Sequence, residues 1–305
     1  MKRINPPPGL EPNVFVSPRC NLACVFCSAR GQDRVMNERE INQVLDSGFK
    51  SLSVEGGEPL LDKKLESRVK RAVRRGTGEI IVFTNGLLLT PDRIGSLLKS
   101  GVTRFNFNLP AHTPGLHDKL AGVKGKLPAK LRAIKDAIRL SPPGTVIVTF
   151  VVNALNYRAL PAFVDFAAGE LPGLFYLSLN LVKVKGRIKS NTVMVPRLSD
   201  AGPYLLKAFG KARAAGLRVL TDGFPLCFMK GFEHLSIAPH KFIRRDKLYA
   251  SEKALAGVCG KCRVSSLCAG PRRDYLQLYG PGELRVATAD ARKILSAVMK
   301  SGLSF

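Results

Sequence analysis

Seven cysteines carry most of the chemistry legible in this sequence, and their spacing is uneven. Cys20, Cys24 and Cys27 fall within eight residues, and Cys227, Cys259, Cys262 and Cys268 fall in the last quarter. The roughly two hundred residues between the groups hold none. The opening residues, MKRINPPPGLEPN, contain no apolar run of the secretory kind, so a cytoplasmic, reducing setting is expected. Thiols stay free there, and close thiol clusters read as metal sites rather than disulfides. Four thiolates complete a tetrahedral zinc site or an iron–sulfur cluster. Three thiolates leave one metal corner open.

Such groups need a frame. Short β-rich runs alternate with amphipathic helical patterns, which signals a parallel sheet. Strands are predicted at Asn13–Val16, Ser51–Glu55, Glu79–Thr84, Thr103–Leu109, Thr145–Val152 and Phe175–Val182. Helices are predicted near Asn37–Ser47, Lys63–Arg75, Pro91–Ser100, Lys126–Ile138, Leu160–Ala168 and Ser199–Ala215. Thr90-Pro91-Asp92 and Ser199-Asp200 supply helix starts. These are six β/α units, and the site of such a barrel lies at the C-terminal strand ends. From about Phe224 the rhythm stops, Pro, Gly and Cys rise, and one last helix is expected near Thr288–Lys300. The division expected is an extended lead-in over residues 1–12, a core over 13–222 and a small irregular cluster-binding domain over 223–305.

Composition narrows the classes. A chain of 305 residues with 45% hydrophobic and 23% charged residues can bury a sizeable core and is not globally disordered. No apolar run reaches the length of a membrane span. Lys plus Arg is 48 and Asp plus Glu is 23, a net charge of +25 that favours acidic partners such as nucleotides, nucleic acid or acidic redox proteins. The absence of Trp and an aromatic content of 7% argue against a long single-strand stacking surface.

The proximal cysteines stand as C-x3-C-x2-C directly after the first predicted strand, with the aromatic Phe26 before the last Cys. This motif resembles that of the radical S-adenosylmethionine (SAM) superfamily. The resemblance implies a partial (β/α)6 radical SAM barrel. It implies that Cys20, Cys24 and Cys27 bind three irons of a [4Fe–4S] cluster, and that the fourth iron takes the amino and carboxylate groups of SAM. An electron entering that cluster then cleaves SAM to a 5′-deoxyadenosyl radical, which removes a hydrogen from substrate; the cofactors carry this chemistry and the protein aims it. Further SAM contacts are implied at Phe26, at Gly56, Gly57, Glu58 and Pro59 after the second strand, at Asn85 after the third, and at Asn106 and Asn108 on the fourth. Asn153 and Arg187, after the fifth and sixth strands, complete the expected set. Glycines let backbone approach closely, and a Glu accepts from an ammonium.

The distal group, Cys227 followed by Cys259, Cys262 and Cys268, has a C-x2-C-x5-C spacing similar to the SPASM and twitch auxiliary-cluster tails of radical SAM peptide maturases. The full SPASM pattern has another Cys where this chain has Arg272, so thiols for one auxiliary [4Fe–4S] cluster are expected, with structural zinc as the rival. No eighth Cys remains as a methyl carrier, none precedes the core motif as in methylthiotransferases, and a cobalamin domain is not expected ahead of the first strand.

Other side chains read more weakly. His112 and His117 are candidate proton donors, and Tyr275 and Tyr279 are candidate hydrogen-atom relays. Lys183, Lys185, Arg187, Lys189, Lys241, Arg244, Arg245, Lys247, Arg272 and Arg273 gather near the expected active end, where they would attract an anionic substrate or an acidic flavodoxin or ferredoxin. The preferred substrate is a ribosomally made peptide or protein side chain, on the tail resemblance, which includes His-Xaa-Ser-type maturases. The rival is a nucleotide-derived small molecule, as for the radical SAM cyclase of molybdenum-cofactor synthesis, or RNA. A non-catalytic iron–sulfur or zinc nucleic-acid-binding protein is the alternative of another class; nucleic acid is not the favoured partner, and no membrane is expected.

Overall fold

A computed structural model of the chain describes residues 12–30 and 36–302. The expected lead-in lies outside the described residues except for Pro12. One sheet holds seven strands: β1 Asn13–Phe15, β2 Ser51–Glu55, β3 Glu79–Thr84, β4 Arg104–Asn108, β5 Val146–Val152, β6 Tyr176–Leu181 and β7 Val219–Asp222. They lie in sequential order, all parallel, and among the described residues β1 does not pair with β7. The molecule is therefore an open, partial β/α barrel. Six strands match expectation closely. The seventh was not expected: β7 has four residues, too short to show alternation before the turn at Gly223.

The crossovers are α1 Glu38–Asp46, α2 Leu65–Arg74, α3 Pro91–Ser100, α4 Pro114–Ala121, α5 Leu127–Leu140, α6 Leu160–Glu170 and α7 Leu198–Ala214. The chain then runs through α8 Ile237–Ile243, α9 Lys247–Ser251, α10 Ser265–Cys268, α11 Arg273–Tyr279 and α12 Ala291–Lys300. Asn37 and Glu40 close a reciprocal capping box on α1. Thr90 caps α3 with Pro91 in its first turn, as expected. The other expected start is displaced: α7 begins at Leu198, and the Ser199 hydroxyl donates to Glu283 instead. Helix α4 is not among the predicted helices; Pro114 occupies a first-turn position that a helix tolerates.

Alternation along the strands sorts the two faces. Leu52, Val54, Ile80, Val82, Phe105, Phe107, Val148, Phe150, Leu177 and Leu179 are buried in the main core with Leu65, Ile94, Ile134, Phe163 and Phe209 of the helices. On the other face Ile147, Tyr176 and Leu220 form a separate small cluster, and polar Asn106, Thr149, Ser178 and Asn180 follow nearer the C-terminal ends.

The tail is fastened to the ends of β6 and β7. Asp274 accepts from Val184 N at 2.9 Å, and Arg272 donates to Val182 O at 3.3 Å. Asp222, ending β7, accepts from Lys253 Nζ at 2.8 Å and from the Tyr249 hydroxyl at 3.0 Å.

Candidate active site

The loop carrying Cys20, Cys24 and Cys27 leaves the C-terminal end of β1 and is held on three sides. Towards β2, Gly57 N donates to Ser17 O at 2.6 Å and Glu58 N to Arg19 O at 2.8 Å. A Cβ on Gly56 would stand 2.5 Å from Ser17 O, and one on Gly57 would stand 2.2 Å from Arg19 O. The two glycines thus let the cysteine loop's own backbone pack directly against the end of β2. Towards α4, Ala23 N donates to Ala121 O and Val25 N to Leu120 O, both at 3.0 Å. From beyond β6, Arg187 N donates to Cys27 O at 3.0 Å, and its Nη1 donates to Ala23 O at 2.6 Å and Cys24 O at 3.3 Å.

Glu58 is buried, and its carboxylate accepts from Leu60 N at 3.1 Å, Thr84 Oγ1 at 2.7 Å and Asn85 N at 2.8 Å. Burial pushes its pKa up, and these hydrogen bonds oppose the shift. Asn85 donates Nδ2 to Asn21 Oδ1 at 2.7 Å, tying the end of β3 to the cysteine loop. Burial also raises the Cys20 thiol, and it lifts Cys24 to about 11 against the pull of the Lys130 ammonium. Phe26 is buried in the main core beneath the loop. Asn106 lies on the inner face, where Thr149 Oγ1 donates to its Oδ1 at 2.7 Å, and Asn108 is half-buried one inward position further on. Cys20, Glu58, Thr84, Asn85 and Asn21 therefore meet at one end of the sheet.

Several expected residues make contacts within the protein. Asn153 is fully buried, and its side chain closes the turn after β5 through Val151 O and Leu155 N, both at 3.0 Å. Arg187 donates Nη1 to two carbonyls of the cysteine loop, which it clamps from the β6 side. His117 is wholly buried in α4, and His112 stacks on Phe166 at 5.3 Å, so neither stands in an open site. Tyr275 is buried, donating to Glu283 and accepting from Leu198 N at 2.9 Å, and Tyr279 donates to Val195 O at 2.6 Å. Both tyrosines pack the tail onto the core. Much of the basic group is paired internally: Lys183 and Lys185 with Glu252, Arg272 with Asp274, and Lys241 with Asp246.

The distal cysteines come together. Cys227, Cys259, Cys262 and Cys268 line one small pocket, with Leu226 and Arg285 beside them. Leu226 N donates to Cys268 Sγ at 3.3 Å, and burial lifts the Cys268 thiol to about 11. All seven thiols are free. Among the described residues no three Cys, His, Asp or Glu side chains converge on a single-ion site. The donor sets, three and four soft sulfurs, suit iron–sulfur clusters, which are larger than one ion.

The sequence profile of the radical SAM superfamily matches residues 14–167. The chain belongs to that superfamily. It is a radical SAM enzyme, a class whose domain implies a [4Fe–4S] cluster and SAM, and which draws on an electron donor. The probable GTP 3′,8-cyclase of Methanopyrus kandleri is 30% identical over 184 residues, covering 57% of this chain and 57% of that protein. The probable GTP 3′,8-cyclase of Methanocaldococcus jannaschii is 29% identical over 251 residues, covering 74% of this chain and 78% of that protein. Among solved structures, Streptococcus suis SuiB bound to S-adenosylmethionine has a TM-score of 0.60 at 18% identity, covering 92% of this chain and 76% of that one. Native anSMEcpe with bound AdoMet also has a TM-score of 0.60, at 15% identity, covering 95% of each chain. These two share the fold. Among the described residues no helix is long and apolar enough to cross a membrane.

One residue at the site escaped the sequence reading. Lys130 of α5 is wholly buried and donates Nζ to Asn108 O at 3.0 Å. A signal for it existed: Lys130 occupies the apolar stripe of Leu127, Ile134 and Ala137, where a solvated lysine has no place.

Proposed function

We propose that Cys20, Cys24 and Cys27 hold the SAM-binding [4Fe–4S] cluster, with Glu58 and Asn85 beside the cofactor's amino end. The bound pair supplies the 5′-deoxyadenosyl radical. The protein's part is positional: Arg187, Gly56, Gly57 and the end of α4 fix the cysteine loop, and the polar inner face of β4 to β6 faces the substrate. The substrate proposed is a nucleotide or a nucleotide-derived anionic small molecule, in place of the peptide favoured by the tail motif. The observation that carries this reading is the match to relatives named GTP 3′,8-cyclase over 74% of the chain. Asn106, Thr149, Ser178 and Asn180 support it, since such a lining suits a hydroxyl-rich ligand. The distal thiols are proposed to hold one auxiliary cluster, supported by the cavity that all four line. A peptide substrate is the second reading, favoured by the C-x2-C-x5-C spacing of that tail.

The test is turnover. Reduced, iron-loaded protein with SAM is offered nucleoside triphosphates, and separately a peptide pool, with 5′-deoxyadenosine release and product mass as readouts. Nucleotides should raise release and acquire a new mass. Stimulation and modification confined to the peptide pool would overturn the nucleotide reading.

A further inference from the structure

Lys130 reaches from an outer helix to the end of β4, and no part of it is exposed. Its ammonium has three N–H groups, and among the described residues it makes one hydrogen bond, to Asn108 O. Its strongest charge partners are Cys24, then Glu58, then Cys20. Burial draws its pKa down to about 8, and those three groups pull the other way. A leucine at this point of the stripe would pack without any desolvation cost, so the buried cation needs another reason.

We infer that Lys130 is a countercharge to the N-terminal iron–sulfur cluster and raises its reduction potential, an inference that rests on Cys20, Cys24 and Cys27 holding that cluster. Reduction adds one electron from an external low-potential donor, and no bond forms or breaks in that step. The reduced cluster carries one more negative charge than the oxidised one. A fixed cation in a dry site favours the more negative state, and net charge near a cluster is one of the levers on its potential. Lys130 is thus a positioning residue for charge. It lets a weaker donor deliver the electron.

The experiment is a redox titration of anaerobically loaded wild type, Lys130→Met and Lys130→Arg, followed by electron paramagnetic resonance. The signal that changes on adding SAM identifies the N-terminal cluster. Lys130→Met should lower that midpoint by at least tenfold in the reduction equilibrium, which is about 59 mV for one electron. Lys130→Arg should stay near wild type. If Lys130→Met does not retain iron, Lys130→Gln is read in its place. An unchanged midpoint in the neutral variant overturns the inference, and so does weaker SAM binding with an unchanged midpoint, which would make Lys130 a cofactor contact. A different result defeats the underlying site: a wild type with no SAM-sensitive signal that loses no iron when Cys20, Cys24 and Cys27 are replaced by Ala.

Discussion

Gly57→Ala tests how the two motifs of the site are joined. A Cβ built there stands 2.2 Å from Arg19 O, 2.6 Å from Arg19 C and 2.8 Å from Pro18 O. All three atoms are backbone, so no side chain can swing aside. Ordinary contact begins near 3.4 Å, and the two segments must part by roughly 1 Å. Such a shift breaks the 2.6 Å bond from Gly57 N to Ser17 O and the 2.8 Å bond from Glu58 N to Arg19 O. Each buried backbone group left unpaired costs about 1–3 kcal/mol. It also moves Glu58 off Thr84 and Asn85. Thermal melts of the metal-free protein should fall by about 2–4 °C for each kcal/mol lost. Equilibrium dialysis of the loaded protein should show weakened SAM binding. The control is Gly115→Ala in α4, where a Cβ meets nothing within 4 Å. A Gly57→Ala protein that melts and binds SAM like wild type, alongside an equally unaffected control, would refute the account of the glycine pair.

Iron loading should reach about eight per chain for two four-iron clusters, and Ala at Cys20, Cys24 and Cys27 should remove about half; zinc in the tail with only four irons would defeat the auxiliary cluster. Arg187→Met should leave the cysteine loop unclamped, so a chelator should strip iron faster than from wild type while the melting temperature moves little. Equal stripping rates would show that the contacts to Ala23 and Cys24 do not hold the loop. Burial opposes ionisation of Asp222, yet the Lys253 and Lys183 ammonium groups outweigh it and hold this carboxyl well below the usual range. A depressed carboxyl stabilises the fold above its unfolded pKa of about 3.9, and that contribution is lost as pH falls through the folded value. Glu252, held down at about 2 by Lys185 and Lys183 against burial, acts in the same sense. Asp222→Asn should therefore flatten the loss of stability below about pH 4, and an unchanged acid melting curve would remove Asp222 from the account.

Local patterns were enough for the cysteine motif, the GGEP turn and six strands, because each is written in adjacent residues or in a period of two. The glycines of GGEP were legible as a close approach, but the segment they approach lies about forty residues earlier in the chain, and only strand pairing brings it there. The seventh strand and α4 were missed because four residues carry too little pattern and Pro-Gly reads equally as turn or helix start. Arg187 and Asn153 were expected beside the cofactor from their places after strands; that Arg187 reaches back to Ala23 O, far away in sequence, only the fold could show, whereas Asn153 bonds Val151 O within its own turn. Lys183 and Lys185 were expected to face an anionic partner, and their pairing with Glu252 was hidden because that acid lies almost seventy residues on and meets them only when the tail folds onto the end of β6. Lys130 is the clearest division. Its misfit in an apolar stripe was visible in sequence, but its reach to the end of β4 beside Cys24 and Glu58 exists only in three dimensions, because helix–sheet packing decides where a long side chain can end.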